Sequence, residues 1–277
     1  MSNSWPAILP HCPITHAVAD FSQQTPGQAP ESISVLGYSL GAINTLFLAG
    51  LEENGRLGQL TVDHYVAINP PVNPVHALRQ IDVFFDIPRA WPDPEQQAEE
   101  LFLRLDVAIN KLRGQRPPTP QPLPITREES HFLIGFNLRL ALADAICASQ
   151  KRHNLGIMQH DPAAFRRNAA HTEALGISYM TYVNDFILPQ ARRQQNNGTL
   201  AAADLAESLS LRALADTLKN NRKVQVLHNR NDFLLADGDL DWLAGQLGDR
   251  LTVFPAGAHL GNLFLPEYQE QLARLLP

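Results

Sequence analysis

The stretch SISVLGYSLGAINTLFLAG, residues 32–50, places a serine between two glycines at the point where one structural pattern gives way to another. Its aliphatic and β-branched residues at 32–36 predict a buried strand. From Leu40 to Glu53 the apolar side chains recur at helical spacing and predict a helix. Ser39 therefore stands on the turn between a predicted strand and a predicted helix.

A turn of this kind can present a serine hydroxyl for chemistry. It lifts the side chain above the sheet, beside a helix N-terminus whose N–H groups can meet a developing negative charge. A hydroxyl is a weak nucleophile until a base takes its proton and a third group orients that base. Because the turn is crowded, we expect that Cβ atoms at Gly37 and Gly41 would collide with the neighbouring strand and helix.

The rest of the chain predicts an α/β fold. The segments VDHYVAIN, KVQVLHN and RLTVFP predict three further strands, at 62–69, 223–229 and 250–255. Helical patterns separate them, which predicts a parallel sheet of about four strands in sequential order, with 32–36 at an edge. Residues 74–221 predict helices without a strand. We therefore expect a core of residues 1–73 and 222–277 and a helical insertion at 74–221.

Two residues that can assist Ser39 follow the last two predicted strands. Asp232 comes just after 223–229, and His259 just after 250–255. Catalytic groups of open α/β sheets gather at the carboxyl ends of strands, and the order Ser, Asp, His suits a serine nucleophile on a sharp turn. His259 would act as general base and Asp232 would orient it. Asp237 is the second choice for the acid, and His228, inside a strand, is expected to be a buried structural histidine.

The segments Gly37-Tyr38-Ser39-Leu40-Gly41, NRNDFLL and GAHLGN together resemble the carboxyl-terminal half of an α/β-hydrolase, including its nucleophile elbow. The resemblance covers residues 32–72 and 222–277. It implies a lipase-like serine esterase with the catalytic triad Ser39, His259 and Asp232. It also implies that Leu40 and Tyr38 serve oxyanion and substrate binding, and that 74–221 is a helical cap. Some relatives take the acid from the strand before the cap, where this chain has the uncharged Asn69.

The resemblance is partial at the amino-terminal side. Four strands precede the elbow strand in the family, whereas about 31 residues precede it here, and the loop that supplies a second oxyanion N–H has no counterpart. The strand at 32–36 is then an exposed apolar edge that another chain could pair with. Three explanations remain open. The translated start lies too late, another chain covers this edge, or the protein is a degenerate relative of the family.

Composition narrows the classes of partner. The net charge is −6 and the basic residues are scattered, which argues against nucleic-acid binding. No clustered Cys/His motif or phosphate-binding glycine loop suggests a metal or another cofactor. No signal peptide or membrane-length apolar run stands out, and Cys12 and Cys147 form no disulfide framework, so a cytoplasmic location is expected.

The expected function is hydrolysis of a carboxylic ester, with a lipid or other acyl ester suggested by the apolar helical segment. The aromatic residues of that segment are expected to form its own core; these are Phe84, Phe85, Phe132 and Phe136. Acyl transfer to an acceptor other than water would use the same triad. A non-catalytic or truncated hydrolase-like protein that serves binding is the alternative from another class.

Overall fold

The structure, a computed structural model, describes most of the chain. The described residues are 20, 24, 30–58, 60–112, 123–152, 154–162 and 167–276. Cys12 lies outside them.

The sheet has four parallel strands in the order β1-β2-β3-β4. The strands are β1 (Ser34–Tyr38), β2 (His64–Ile68), β3 (Val224–Asn229) and β4 (Leu251–Phe254). The predicted α/β class and the sequential strand order are therefore confirmed. β1 begins and ends two residues later than predicted and runs directly into Ser39. It forms one edge of this sheet, and its pairing with another chain stays a prediction.

The rest of the described chain consists of helices and the loops between them, with short 3-10 turns and a π-helical turn at Val183–Ile187. Among the described residues of 74–221 there is no strand. The α-helices are α1 (Leu40–Glu53), α2 (Pro74–Phe85), α3 (Pro94–Leu112), α4 (Arg127–Arg152), α5 (Arg167–Leu175), α6 (Tyr179–Tyr182), α7 (Leu188–Gln194), α8 (Ala202–Leu209), α9 (Ala215–Asn220), α10 (Asp239–Leu247) and α11 (Pro266–Leu275).

The chain divides into two compact units. The first contains the described residues up to Ala77 and from Leu188 onward, and the second contains Leu78–Ile187. The helical unit is thus shorter than the predicted 74–221. The physical reason is packing: Leu211 and Leu218 are fully buried in the core that α1 forms against the sheet.

The first unit buries apolar side chains on both faces of the sheet. On one face, Leu46 of α1 and Leu243 of α10 pack with Val226 of β3. On the other, Tyr268 of α11 packs with Ile68 and Leu227. Because β2 and β3 are covered on both sides, all but the first residue of β2 and all but the second residue of β3 are buried. This double cover fixes the carboxyl ends of the strands.

The second unit has a core of its own, built on α4. A capping box precedes α4: Thr126 N–H donates to Glu129 Oε2 at 2.7 Å, and Glu129 N–H donates to Thr126 Oγ1 at 3.1 Å. A Cβ added to Gly135 would lie 2.4 Å from the Phe85 nitrogen, so α2 and α4 approach closely there. Phe84 and Phe132 are buried, and Phe136 contacts Phe132 with ring centroids 5.8 Å apart.

By length and composition alone, α4 is long and apolar enough to cross a membrane. From the sequence, this helix was not identified as a candidate membrane span. Of the most apolar 18-residue stretch of this helix, 33% is buried within the protein. Arg139, in the middle of α4, is buried and forms an ion pair with Asp82. Its guanidinium also lies 4.2 Å from the centre of the Phe85 ring. One such helix is weak evidence for a membrane span.

Candidate active site

Ser39 lies on a strained turn between β1 and α1. Its backbone has φ 55° and ψ −121°, a conformation that residues other than glycine rarely adopt. Its N–H donates to the carbonyl of Ile68 at 2.9 Å, and its carbonyl accepts from the N–H of Ala42 at 3.0 Å. These bonds hold the turn against the end of β2 and against the start of α1, so the strained conformation is fixed from both sides.

The two glycines that flank Ser39 differ in their surroundings. A Cβ added to Gly37 would lie 2.2 Å from the carbonyl oxygen of Gly41 and 2.4 Å from Thr45 Oγ1. An added Cβ at Gly41 would meet nothing within 4 Å. The prediction of a clash was therefore wrong for Gly41. Position 37 requires a glycine because a Cβ there would clash with the backbone of Gly41. Gly41 itself has room for a side chain.

The structure brings together the three side chains predicted from the sequence. His259 Nε2 lies 2.8 Å from Ser39 Oγ, and His259 Nδ1 lies 2.9 Å from Asp232 Oδ2. Asp232 follows β3 and His259 follows β4. Because these strands are parallel neighbours, both groups lie at the carboxyl ends of the strands. The Asp237 carboxylate, the second choice for the acid, is not within ion-pairing distance of His259 among the described contacts.

Asp232 is buried yet held in its charged form. Burial alone would raise the pKa of this carboxyl. The hydrogen bond and the charge of His259, the N–H of Leu234 at 3.0 Å from Oδ1, and the nearby His228 outweigh the burial. The pKa of Asp232 therefore lies below its ordinary value, and an anion faces the imidazole ring.

His259 lies on a tight loop after β4. The residues on either side have left-handed backbones, with φ 48° at Ala258 and φ 67° at Leu260. The N–H of Ala258 donates to Asn231 Oδ1 at 2.8 Å, and Leu260 packs into the core beneath α11. One polar and one apolar contact thus fix the loop on both sides of the imidazole.

A pair of buried asparagines supports the same loop. Asn229 Nδ2 donates to Asn262 Oδ1, and Asn262 Nδ2 donates to Asn229 Oδ1, each at 2.8 Å. Asn229 Nδ2 also reaches the carbonyl of Ala258 at 2.9 Å. Gly257 has φ 147°, and a Cβ added there would lie 2.4 Å from the Asn262 side chain. Sequence reasoning missed this pair because nothing local marks two asparagines 33 residues apart as partners.

Asn69 is the third asparagine at the carboxyl ends of the strands, and its side chain contacts Asp232. It lies directly after β2, is fully buried, and has φ 48°. Its Nδ2 donates to Asp232 Oδ2 at 2.8 Å, to the same oxygen that His259 contacts. The sequence showed only that Asn69 carries no charge. Its position at the carboxyl end of a strand was the signal that could have drawn attention to it.

His228 is the buried structural histidine that was predicted. Its Nδ1 accepts from the N–H of Asn229 at 3.0 Å, and its Nε2 donates to the carbonyl of Pro70 at 3.2 Å. Burial lowers the pKa of His228, so the neutral ring is favoured. Its Nδ1 lies 3.9 Å from Asp232 Oδ2, too far for a hydrogen bond.

Tyr38 and Leu40, the residues predicted for substrate and oxyanion binding, flank Ser39 and are exposed, at 60% and 66% of their surfaces. Leu40 is the first residue of α1. The first N–H groups of a helix have no partner within the helix, so the Leu40 amide is chemically suited to an anionic oxygen.

Among the residues that the structure describes, no group of three or more His, Cys, Asp or Glu side chains is arranged to hold a metal ion. No known protein-family model and no curated protein sequence matches this chain.

Proposed function

We propose that this protein is a serine hydrolase that cleaves carboxylic esters. The observation that carries the proposal is the continuous hydrogen-bonded line from Ser39 Oγ through both ring nitrogens of His259 to Asp232 Oδ2, with links of 2.8 and 2.9 Å. These distances match the range in which a base removes a proton from a nucleophile. The strained backbone of Ser39 supports the same interpretation, because such strain concentrates at functional sites.

In the proposed reaction, Ser39 Oγ forms a bond to the ester carbonyl carbon while its proton passes to His259 Nε2. The carbonyl electron pair becomes an oxyanion that accepts a hydrogen bond from the Leu40 amide. The C–O bond to the alcohol then breaks, and the alcohol takes the proton from His259. Water repeats these steps on the acyl-enzyme and releases the acid. Asp232 stabilises the imidazolium in both halves.

The side chains next to the nucleophile favour an apolar acyl group. Tyr38 and Leu40 expose large surfaces on either side of Ser39, and neither carries a charge. Burying such surfaces against an acyl chain contributes about 25 cal/mol for each Å². Within this proposal, the helical unit Leu78–Ile187 keeps the role of a cap that the family resemblance implies.

A fluorophosphonate probe tests the proposal, because it reports an activated serine even when turnover is slow. We expect the probe to label Ser39 in the wild type, and Ser39→Ala and His259→Ala to abolish labelling. Asp232→Asn should slow labelling by a smaller factor, since the base remains but is poorly oriented. Ser34→Ala is the matched control: it changes an exposed serine of β1, the strand that precedes Ser39, and should label like the wild type.

Turnover of p-nitrophenyl esters of increasing chain length then measures the acyl preference, and we expect the longer chains to react faster. Adding a soluble alcohol separates hydrolysis from acyl transfer by its products. Folded wild-type protein that the probe does not label would contradict the proposed function. Labelling that survives His259→Ala would contradict the assigned base.

A further inference from the structure

Packing alone does not explain the hydrogen bonding of the Asn69 side chain. Its side chain is fully buried, and its amide nitrogen serves Asp232, yet its own Oδ1 has no hydrogen-bond partner among the described residues. A buried acceptor without a partner destabilises the folded state. Rotating the amide by half a turn would not help, because it would bring Oδ1 to the position 2.8 Å from an anionic oxygen.

The hydrogen bond from Asn69 has a specific geometric effect on the acid. Asp232 Oδ1 is held by the Leu234 N–H at 3.0 Å, and Oδ2 is held by Asn69 at 2.8 Å. With both oxygens held, the carboxylate cannot rotate about its Cβ–Cγ bond, and Oδ2 stays 2.9 Å from His259 Nδ1. Asn69 is itself anchored, since its backbone N–H donates to the carbonyl of Leu227 at 2.8 Å.

We infer that Asn69 is a positioning residue of the active site: its amide orients the Asp232 carboxylate toward His259. The inference rests on the proposed function and assigns one more residue to the same site. Asn69 acts through Asp232 and does not touch the substrate. Two histidines have a ring nitrogen within 4 Å of the carboxylate: His259 at 2.9 Å and His228 at 3.9 Å.

Two variants separate this role from a contribution to folding. Asn69→Asp keeps the shape of the side chain but replaces the donor with a second carboxylate. Asn69→Gly removes the donor and suits the left-handed backbone at this position. Asn221→Ala is the matched control, because Asn221 is buried in the same unit and bonds to Lys223 N–H, away from the site.

Two readouts are needed, the Asp232 carboxyl titration by carbon-13 NMR and the probe-labelling rate across pH. We expect both Asn69 variants to titrate Asp232 at higher pH, since Asn69→Gly removes a hydrogen bond to the anion and Asn69→Asp adds a like charge. Labelling at pH 7 should fall roughly 10- to 100-fold, the loss of one charge-assisted bond. Asn221→Ala should change neither readout.

An unchanged Asp232 titration in both folded Asn69 variants would overturn the inference, even if their thermal stability fell, because a purely structural residue would give that result. The two proposals fail separately. If the probe does not label the wild type, the proposed function fails, while the carboxyl titration still decides the role of Asn69.

Discussion

Gly37 and Gly41 approach so closely that a Cβ on Gly37 would lie 2.2 Å from the carbonyl oxygen of Gly41. The contact joins the end of β1 to the first turn of α1 and leaves Ser39 between them. Only position 37 requires a glycine for this contact, because nothing lies within 4 Å of a Cβ added to Gly41. Substitution of the two glycines should therefore give opposite results.

Gly37→Ala should destabilise the protein by about 2 kcal/mol or more, because the methyl group meets backbone that cannot move without opening the turn. Gly41→Ala should stay within about 1 kcal/mol of the wild type, toward greater stability, since alanine is the better helix former. Urea unfolding of both variants measures the difference. Equal losses for the two variants would show that the turn adapts to either side chain.

Gly257→Ala should misplace His259 while leaving most of the fold intact. The added methyl group would lie 2.4–2.6 Å from atoms of Asn262 and Asn229, the pair that holds the His259 loop. We expect probe labelling to fall roughly 100-fold, with circular dichroism unchanged. Gly245→Ala, where an added Cβ meets nothing within 4 Å, is the control. Normal labelling of Gly257→Ala would mean that the loop does not need the asparagine pair.

His228 should make stability depend on pH near neutrality. Burial holds the pKa of His228 below its ordinary value of 6.5, so the unfolded chain binds more protons than the folded protein below that pH. Stability should fall as the pH drops below 6.5, with a slope of up to about 1.4 kcal/mol per pH unit for this one group.

In His228→Gln the contribution of this group to the slope should disappear, because glutamine can still donate to the carbonyl of Pro70 but does not titrate. Urea unfolding between pH 5 and pH 7.5 measures the slope for both proteins. The remaining histidines are common to both, so the difference belongs to His228. Parallel curves would contradict this assignment.

Arg250 should be essential for stability, although its hydrogen bonds do not reach the triad. It is buried and donates to the carbonyls of Leu218, Lys219 and Asn221 at the end of α9, at 2.6–2.9 Å, and to that of Gln246 at 3.3 Å. Arg250→Met should cost roughly 3 kcal/mol, because these carbonyls stay buried without a donor.

Arg250→Lys should lie between the wild type and Arg250→Met, since an ammonium group cannot match the planar fork of the guanidinium. The control Arg274→Met removes an arginine with a 71% exposed side chain and should change stability by less than about 0.5 kcal/mol. Thermal unfolding compares the three variants, and a small loss for Arg250→Met would mean that water replaces the guanidinium.

Local patterns were sufficient where a residue's neighbours in the chain decide its environment. The bounds of α1, Leu40–Glu53, follow from apolar spacing along the chain. The strand order also followed, because sequential parallel strands with intervening helices allow few arrangements. The limits of the helical unit did not follow, because helical periodicity does not reveal which core a helix joins.

The sequence by itself determined the α/β class, the serine on its turn, and the candidates Asp232 and His259, because spacing along the chain fixes which residues end parallel strands. Only the tertiary structure decided which contacts hold these groups. Asn69, Asn229 and Asn262 come from separate segments and meet through hydrogen bonds across the strand ends. Such contacts depend on distances of a few ångströms between segments far apart in sequence, and no periodicity encodes them.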